Sequence, residues 1–370
     1  MSIKNRYLLM GYYGQQNAGD DMMLYCILDW LKNQKLKITV ISEKCKNITG
    51  TYRVSTIQNV PLLGQWGWPK KLVNGSVIRL VAALVNCKGL IVGGGDLIRD
   101  DLGWKNLMYT LEKCILAILF KRKLIFVNMG IGIPETIYGR MLMKFVLRNV
   151  HLNVVRDKRS YQYCRRINTS NLFLEPDIVF TLPQKLLDIK MPLKGDSSRY
   201  FVVALRDKAL RFRKNYLQEN CFKNFSEALD IVIEKMDINC LFVPFQQNTF
   251  IDDNYIHNQI YSNIKQKSRC RICQWDQDFL ITCSRIKNAQ FVIGMRFHSL
   301  VLGLSYGKKC FAIAYDEKCY QLCETEKSIT VFNENDFQKS HIMAHKIING
   351  YNYDISHPKT ETNWNRIHLH

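Results

Sequence analysis

Short apolar runs recur along this chain, each closed by a glycine or a polar residue before helical spacing takes over. Tyr7–Gly11 is followed by Met23, Leu24, Ile27, Leu28 and Leu31 at helical spacing. Ile38–Ser42, Leu90–Leu97, Leu124–Val127, Leu152–Val155 and Leu172–Leu174 read as further strands, with helix-like stretches over 105–120 and 138–149. Runs without polar alternation are strands covered on both faces. Alternated with helices, they build a parallel sheet. The rhythm lapses from Thr181 to Arg199, around Pro183, Pro192 and the Lys194–Ser198 turn, and restarts at Tyr200–Leu205. A helix near 221–236, strand Leu241–Val243, a helix near 278–287, strand 291–293, a helix to Tyr306 and strand Cys310–Ala314 follow.

At 370 residues the chain exceeds one ordinary core. The expectation is an α/β chain of two Rossmann-like doubly wound domains facing a central cleft, similar to the two-domain glycosyltransferase architecture. The boundaries read as 1–180, a linker over 181–199, and 200–330. A C-terminal helix (Asp336–Ile348) and polar tail then fill 331–370. Tyr52–Asn74, with Pro61, Gly64, Gly67 and Pro69, reads as a loop excursion. Its Trp66, Trp68, Lys70 and Lys71, followed by Val77, Ile78, Leu80, Val81 and Leu84, could touch a membrane surface, or could be a solvated loop before a core helix.

Charge narrows the partners. Lys plus Arg outnumber Asp plus Glu by 52 to 32, for a net charge of +20, which favours an anionic ligand. The basic residues are dispersed and no nucleic-acid-binding motif stands out, so small anions or a lipid headgroup region are preferred over nucleic acid. The apolar stretch Leu107–Phe120 contains Glu112 and Lys113 and is too short to span a bilayer. With no export signal and 13 scattered cysteines, the chain reads as cytoplasmic, with the inner face of the membrane as its place of peripheral contact. The cysteines read as reduced thiols; a zinc site from Cys270-x-x-Cys273 with Cys319-x3-Cys323 is the alternative, and no metal is assigned. The oligomeric state is left open.

Chemistry concentrates at strand exits, where open α/β sheets bind ligands. Phe291-Val292-Ile293-Gly294 leads directly into Arg296, Phe297 and His298 and then into an apolar helix. Arg offers a planar fork for carboxylate or phosphate, and imidazole moves protons near neutrality. The alternative is an Arg pairing with a nearby acid and a His capping a helix. Arg156, Arg206, Gln246 and Tyr315 also follow strands, and Gly93-Gly94-Gly95 would let backbone approach a ligand. Asp20 reads as the N-cap of the first helix, and Gly14–Asp20 as a capped turn or an anion cradle.

Several landmarks then fall in one order. Gly11-Tyr12-Tyr13-Gly14, Asn17, Gly19-Asp20, Val92–Leu97, Val155–Ser160, Pro176-Asp177, Ile293–His298 and Ala314–Lys318 together resemble the polysaccharide pyruvyl transferase family. Gly130-Ile131-Gly132-Ile133-Pro134 departs from the family's Gly-Ile-Gly-Pro by one inserted residue. The resemblance implies transfer of pyruvate from phosphoenolpyruvate to a sugar of a cell-surface polysaccharide or its lipid-linked precursor, as a ketal. It implies no cofactor beyond phosphoenolpyruvate as co-substrate. By position, Arg296 and His298 match the family's donor-site residues and Arg156 its first-domain arginine; Arg206 and Phe297 are placed with them on the donor side, with His298 as the general acid. Tyr13, Asn17, Asp20, Gly94, Gly95 and Asp96 fall on the acceptor side, with Asp20 or Asp96 as a base. A nucleotide-sugar glycosyltransferase and a non-catalytic glycan- or anion-binding protein are the competing readings of the same scaffold.

Overall fold

The structure is a computed structural model that describes residues 6–62, 75–98, 103–186, 199–206, 219–248, 251–276, 278–352 and 360–369. Trp66, Trp68, Lys70 and Lys71, most of the expected linker, and His357 and His370 lie outside the described residues. Two units divide the chain: residues 1–15, 20–178 and 361–370 form the first, and residues 16–19 and 179–360 the second. The last residues therefore belong to the first unit, and 331–360 belong to the second.

The first unit carries a parallel sheet of seven strands in the order β3-β2-β1-β4-β5-β6-β7. These are β1 (Tyr7–Met10), β2 (Ile38–Ser42), β3 (Ser55–Gln58), β4 (Gly89–Ile98), β5 (Lys123–Ile131), β6 (Leu152–Val155) and β7 (Leu172–Leu174). Its helices are α1 (Ala18–Asn33), α2 (Cys45–Tyr52), α3 (Ser76–Asn86), α4 (Trp104–Leu119), α5 (Ile137–Arg148) and α6 (Lys158–Arg166). Leu8, Leu90, Val92, Leu124 and Phe126 meet Leu80, Leu84, Leu111, Val146 and Leu147 in one core, all fully buried. Burying a side chain of that size contributes about 1.5–3 kcal/mol. Strand β3 lies inside the stretch read as a loop. Ser55-Thr56-Ile57-Gln58 is a polar edge strand, and an edge strand has only one covered flank to mark it. Val77, Leu80 and Leu84 of α3 are buried, so one face of that segment is core, while Ile78 is exposed.

The second unit's sheet has six parallel strands in the order β10-β9-β8-β11-β12-β13. These are β8 (Tyr200–Ala204), β9 (Asn239–Phe242), β10 (Cys270–Ile272), β11 (Phe291–Gly294), β12 (Lys309–Ala312) and β13 (Ile329–Val331). After a short turn of helix, α7 (Leu182–Lys185), its helices are α8 (Glu219–Met236), α9 (Asp253–Asn263), α10 (Phe279–Lys287), α11 (Phe297–Ser305), α12 (Glu317–Thr325) and α13 (Ser340–Asn352). Phe201 stacks on Phe291 with ring centroids 4.7 Å apart. Met343, Ala344 and Ile347 of α13 join Leu229, Val232 and Ile233 of α8 in the core.

The C-terminal residues are anchored instead of trailing. Trp364 packs edge-on against Trp30 at 5.8 Å. Its Nε1 donates to Pro176 O at 3.0 Å, and Asn363 N donates to Glu175 Oε2 at 2.9 Å. No described helix is long and apolar enough to cross a membrane.

Candidate functional site

In each sheet the chain leaves the central strand first to one side and then to the other. The switch points are the exits of β1 and β4 in the first unit, and of β8 and β11 in the second. Backbone groups at adjacent exits diverge there, leaving a crevice for a ligand.

In the second unit, β8 delivers Arg206 and β11 delivers Arg296, Phe297 and His298. Arg296 is the surprise. Its Nε donates to Asp253 Oδ2 at 2.9 Å, its Nη2 to Asp253 Oδ1, and its Nη1 to Gln246 Oε1 at 3.1 Å. Asp253 is fully buried and also accepts from the backbone N–H of Phe245 and Gln246, each at 3.0 Å. The guanidinium is thus a buried clamp neutralised by a carboxylate, the alternative that the sequence left open. It braces the loop after β9 against the start of α11.

Arg206 is different. Its Nη1 donates to Tyr315 Oη at 2.7 Å, and among the described residues its buried Nε has no hydrogen-bond partner. Burial opposes its charge, but Tyr315, backed by Asp253 and Asp316, outweighs that and holds the guanidinium above its ordinary value. Burial in turn pushes the Tyr315 phenol up to about 12. The β8 exit is set from behind by His257. Its Nε2 accepts the Leu205 N–H at 3.2 Å, so the proton sits on Nδ1, 3.1 Å from Asn254 Oδ1. Burial first, and Arg296 second, pull the His257 value down to about 3, which keeps it neutral.

His298 occupies the first turn of α11, its ring edge-on to Phe297 at 5.2 Å. Lys318 Nζ lies 5.7 Å from the Phe297 ring centre and 3.8 Å from Asp316, the N-cap of α12. Residues 16–19 complete this unit. Ala18 N donates to Phe245 O at 2.8 Å, and Asn17 forms an antiparallel bridge with Gln246. A Cβ on Gly19 would lie 2.7 Å from His298 Cγ, so only glycine leaves room for the imidazole. Asn17, expected on the acceptor side with the first domain, therefore belongs with His298. Helix α1 begins at Ala18, and Asn17 Oδ1 takes the Gly19 N–H at 3.0 Å, so the capping role expected of Asp20 falls to Asn17.

The first unit's switch point is acidic. Asp20 and Asp21 open α1, and Asp96 lies in β4. The glycine run does not end β4; the strand continues to Ile98 through a register shift after Gly95. Gly94 and Gly95 have φ of +73° and +91°, and a Cβ on Gly94 would sit 3.3 Å from Met23 Cβ. Tyr13 is buried, with its hydroxyl donating to Gly93 O at 2.5 Å, so it is packing and not an exposed contact. Arg156 donates to Asp96 at 2.7 Å and to Asp177 at 2.8 Å, and its side chain is 3% exposed. Burial opposes its charge, and the two carboxylates raise its value nonetheless. The rest of that motif builds a helix start: Asp157 accepts from Ser160 N at 2.7 Å, and Ser160 Oγ accepts from Ile131 N at 2.8 Å. One residue escaped the sequence reading. Burial lifts Asp21 to about 7 against the opposing bond from Gly14 N, which donates to it at 3.2 Å. Its signal was only that it follows Asp20.

Among the described residues no group of three or more His, Cys, Asp or Glu is placed to hold a metal. Cys270, Cys273 and Cys319 are buried free thiols.

The sequence profile of polysaccharide pyruvyl transferases matches residues 17–317. The chain belongs to this family. The family is one of transferases acting in polysaccharide biosynthesis, and its match takes in Asp20, Asp96, Arg156, Arg206, Arg296 and His298. No curated protein sequence gives a significant match. Solved structures share the fold at low identity. UDP-GlcNAc 2-epimerase of Methanocaldococcus jannaschii aligns with a TM-score of 0.68 and 12% identity over 97% of this chain and 96% of that one. UDP-GlcNAc 2-epimerase of Neisseria meningitidis, bound to UDP-GlcNAc, aligns at 0.64 and 9% over 97% of each. A glycosyltransferase of Rickettsia africae aligns at 0.58 and 11% over 98% and 92%.

Proposed function

We propose that this pyruvyl transferase family member moves pyruvate from phosphoenolpyruvate onto two hydroxyls of a sugar, in a polysaccharide or its lipid-linked precursor, as a cyclic ketal. The observation that carries the reading is the trio at the second unit's switch point. Arg206, hydrogen-bonded to Tyr315 and to no carboxylate among the described residues, shares that edge with His298 and Lys318.

Phosphoenolpyruvate carries a carboxylate and a phosphate, which a guanidinium and an ammonium recognise by charge-assisted hydrogen bonds. Arg206, beside Tyr315, and Lys318, over the face of Phe297, take that role. Arg156 and Arg296, each already held by carboxylates, act as positioning residues for the two switch points. His298 gives a proton to the methylene carbon. The enol π pair forms the new C–H bond and leaves an oxocarbenium-like centre at C2. An acceptor hydroxyl adds to C2 and loses its proton to a base. The C2–O bond to phosphate then breaks, and the second hydroxyl adds to C2 and gives its proton to the departing phosphate, closing the ketal. Asp20, Asp21 and Asp96 of the first unit are the acceptor-side carboxylates. Asp21, raised to about 7, is best matched to taking a proton near neutrality.

Titration of the full chain with phosphoenolpyruvate tests the donor assignment. Binding that weakens strongly in Arg206→Gln, while inorganic phosphate competes, supports it. Binding of UDP in place of phosphoenolpyruvate would transfer the site to a nucleotide sugar.

A further inference from the structure

Helix α5 buries one flank in the first unit's core and leaves the other bare. Gly139, Met143, Val146 and Leu147 are buried, whereas Ile137, Tyr138, Met141 and Phe145 are 66%, 79%, 64% and 44% exposed. Ile137, Met141 and Phe145 recur at every fourth position and so form one stripe. Exposed Arg140, Lys144 and Arg148 repeat at the same interval beside it, and the helix holds no acidic residue. Ile133, in the turn before the helix, is a further exposed apolar residue.

A continuous apolar stripe of this kind on an otherwise well-packed unit marks an interaction surface. We propose that the α5 face rests on an anionic phospholipid surface. Charge selects that occupant. Within the helix every charged neighbour of the stripe is a cation, on a chain of net charge +20. A second copy docking through the same face would set its Arg140, Lys144 and Arg148 against identical residues, with no carboxylate on either helix to neutralise them. On lipid, the apolar side chains enter the acyl boundary, and the long stems of the basic residues lie along them with their heads at the phosphates. Tyr138 belongs at headgroup level, where amphipathic rings concentrate. The surface is separate from the Trp66–Leu84 stretch singled out by sequence, and its occupancy does not depend on which donor the chain uses.

Flotation of the full chain with vesicles of phosphatidylcholine alone, or mixed with phosphatidylglycerol, tests this. Capture by the anionic vesicles only is expected. It should fall as salt rises from about 0.1 M to about 1 M and the screening length shrinks from about 10 Å to about 3 Å. Arg140→Gln with Lys144→Gln should weaken capture by roughly fivefold per charge. Met141→Ser with Phe145→Ser should abolish it, with the thermal midpoint of each variant unchanged. Equal capture by neutral vesicles, capture untouched by either pair, or a lipid-free dimer dissolved by the serine pair would overturn the proposal.

Discussion

The two switch points are built alike and charged oppositely. Each gathers side chains at the exits of the two central strands, and each has one buried arginine locked between its neighbours: Arg156 by Asp96 and Asp177, Arg296 by Asp253 and Gln246. What remains outside the locks differs. The first unit has Asp20 and Asp21 at the start of α1, and the second has Arg206, Lys318 and His298. Each buried arginine is already paired, so the balance of charge at each exit is set by the residues around it. The cationic edge suits an anionic donor, and the acidic edge suits hydroxyls that must lose protons.

Substitutions separate scaffold from chemistry. The largest effect is expected at His298: His298→Gln should lower turnover by about 10²–10⁴-fold while phosphoenolpyruvate still binds and the melting temperature holds. Near-normal turnover in that variant would remove the proton-donor role. Asp253→Ala should destabilise the second unit by about 3–5 kcal/mol, because it strands a buried guanidinium. Asp177→Ala in the first unit should cost less, about 1–3 kcal/mol, since Asp96 still pairs with Arg156. Denaturant midpoints compare the two directly. Arg206→Gln should instead leave stability nearly unchanged and weaken phosphoenolpyruvate binding by about 10–150-fold, the worth of a charged hydrogen bond.

Effects confined to a pH window come last, and there the two units should respond in opposite senses. Asp21 holds its proton up to about 7 in the folded chain, against 3.8 ordinarily. Its contribution is favourable at acid pH and is lost as pH rises from about 4 to about 7. Asp21→Asn should therefore stabilise the chain above about pH 7, by at most about 4 kcal/mol, and not below about pH 4. His257 falls from 6.5 to about 3, so the unfolded chain takes the proton first and stability is lost as pH drops through that window. Thermal melts of His257→Gln across it should show a shallower loss than the parent chain.

The strands buried on both faces were legible from their apolar runs, and so was the place of Arg206, Arg296 and His298 at strand exits. The polar edge strand β3 was not, because Ser55-Thr56-Ile57-Gln58 has too little buried surface to leave a pattern. Nor was the lock on Arg296. Asp253 lies 43 positions away, and nothing local distinguishes a carboxylate that will accept two backbone N–H groups and a guanidinium from one that caps a helix. Gly19 carried a visible signal with a hidden cause. The glycine stood out beside Asp20, but the side chain it makes room for is His298, near the other end of the chain. Where a motif residue serves a distant partner, spacing shows that it matters before it shows why.

Pyruvate transfer with the donor held at the second unit's switch point is open to direct test. Incubating the full chain with phosphoenolpyruvate and a panel of glycans and lipid-linked sugars, while following phosphate release and acceptor mass, tests it most directly. Release of phosphate matched by an acceptor gain of pyruvic acid less water, absent in His298→Gln, is the expected result. Consumption of a UDP-sugar with no use of phosphoenolpyruvate would contradict it.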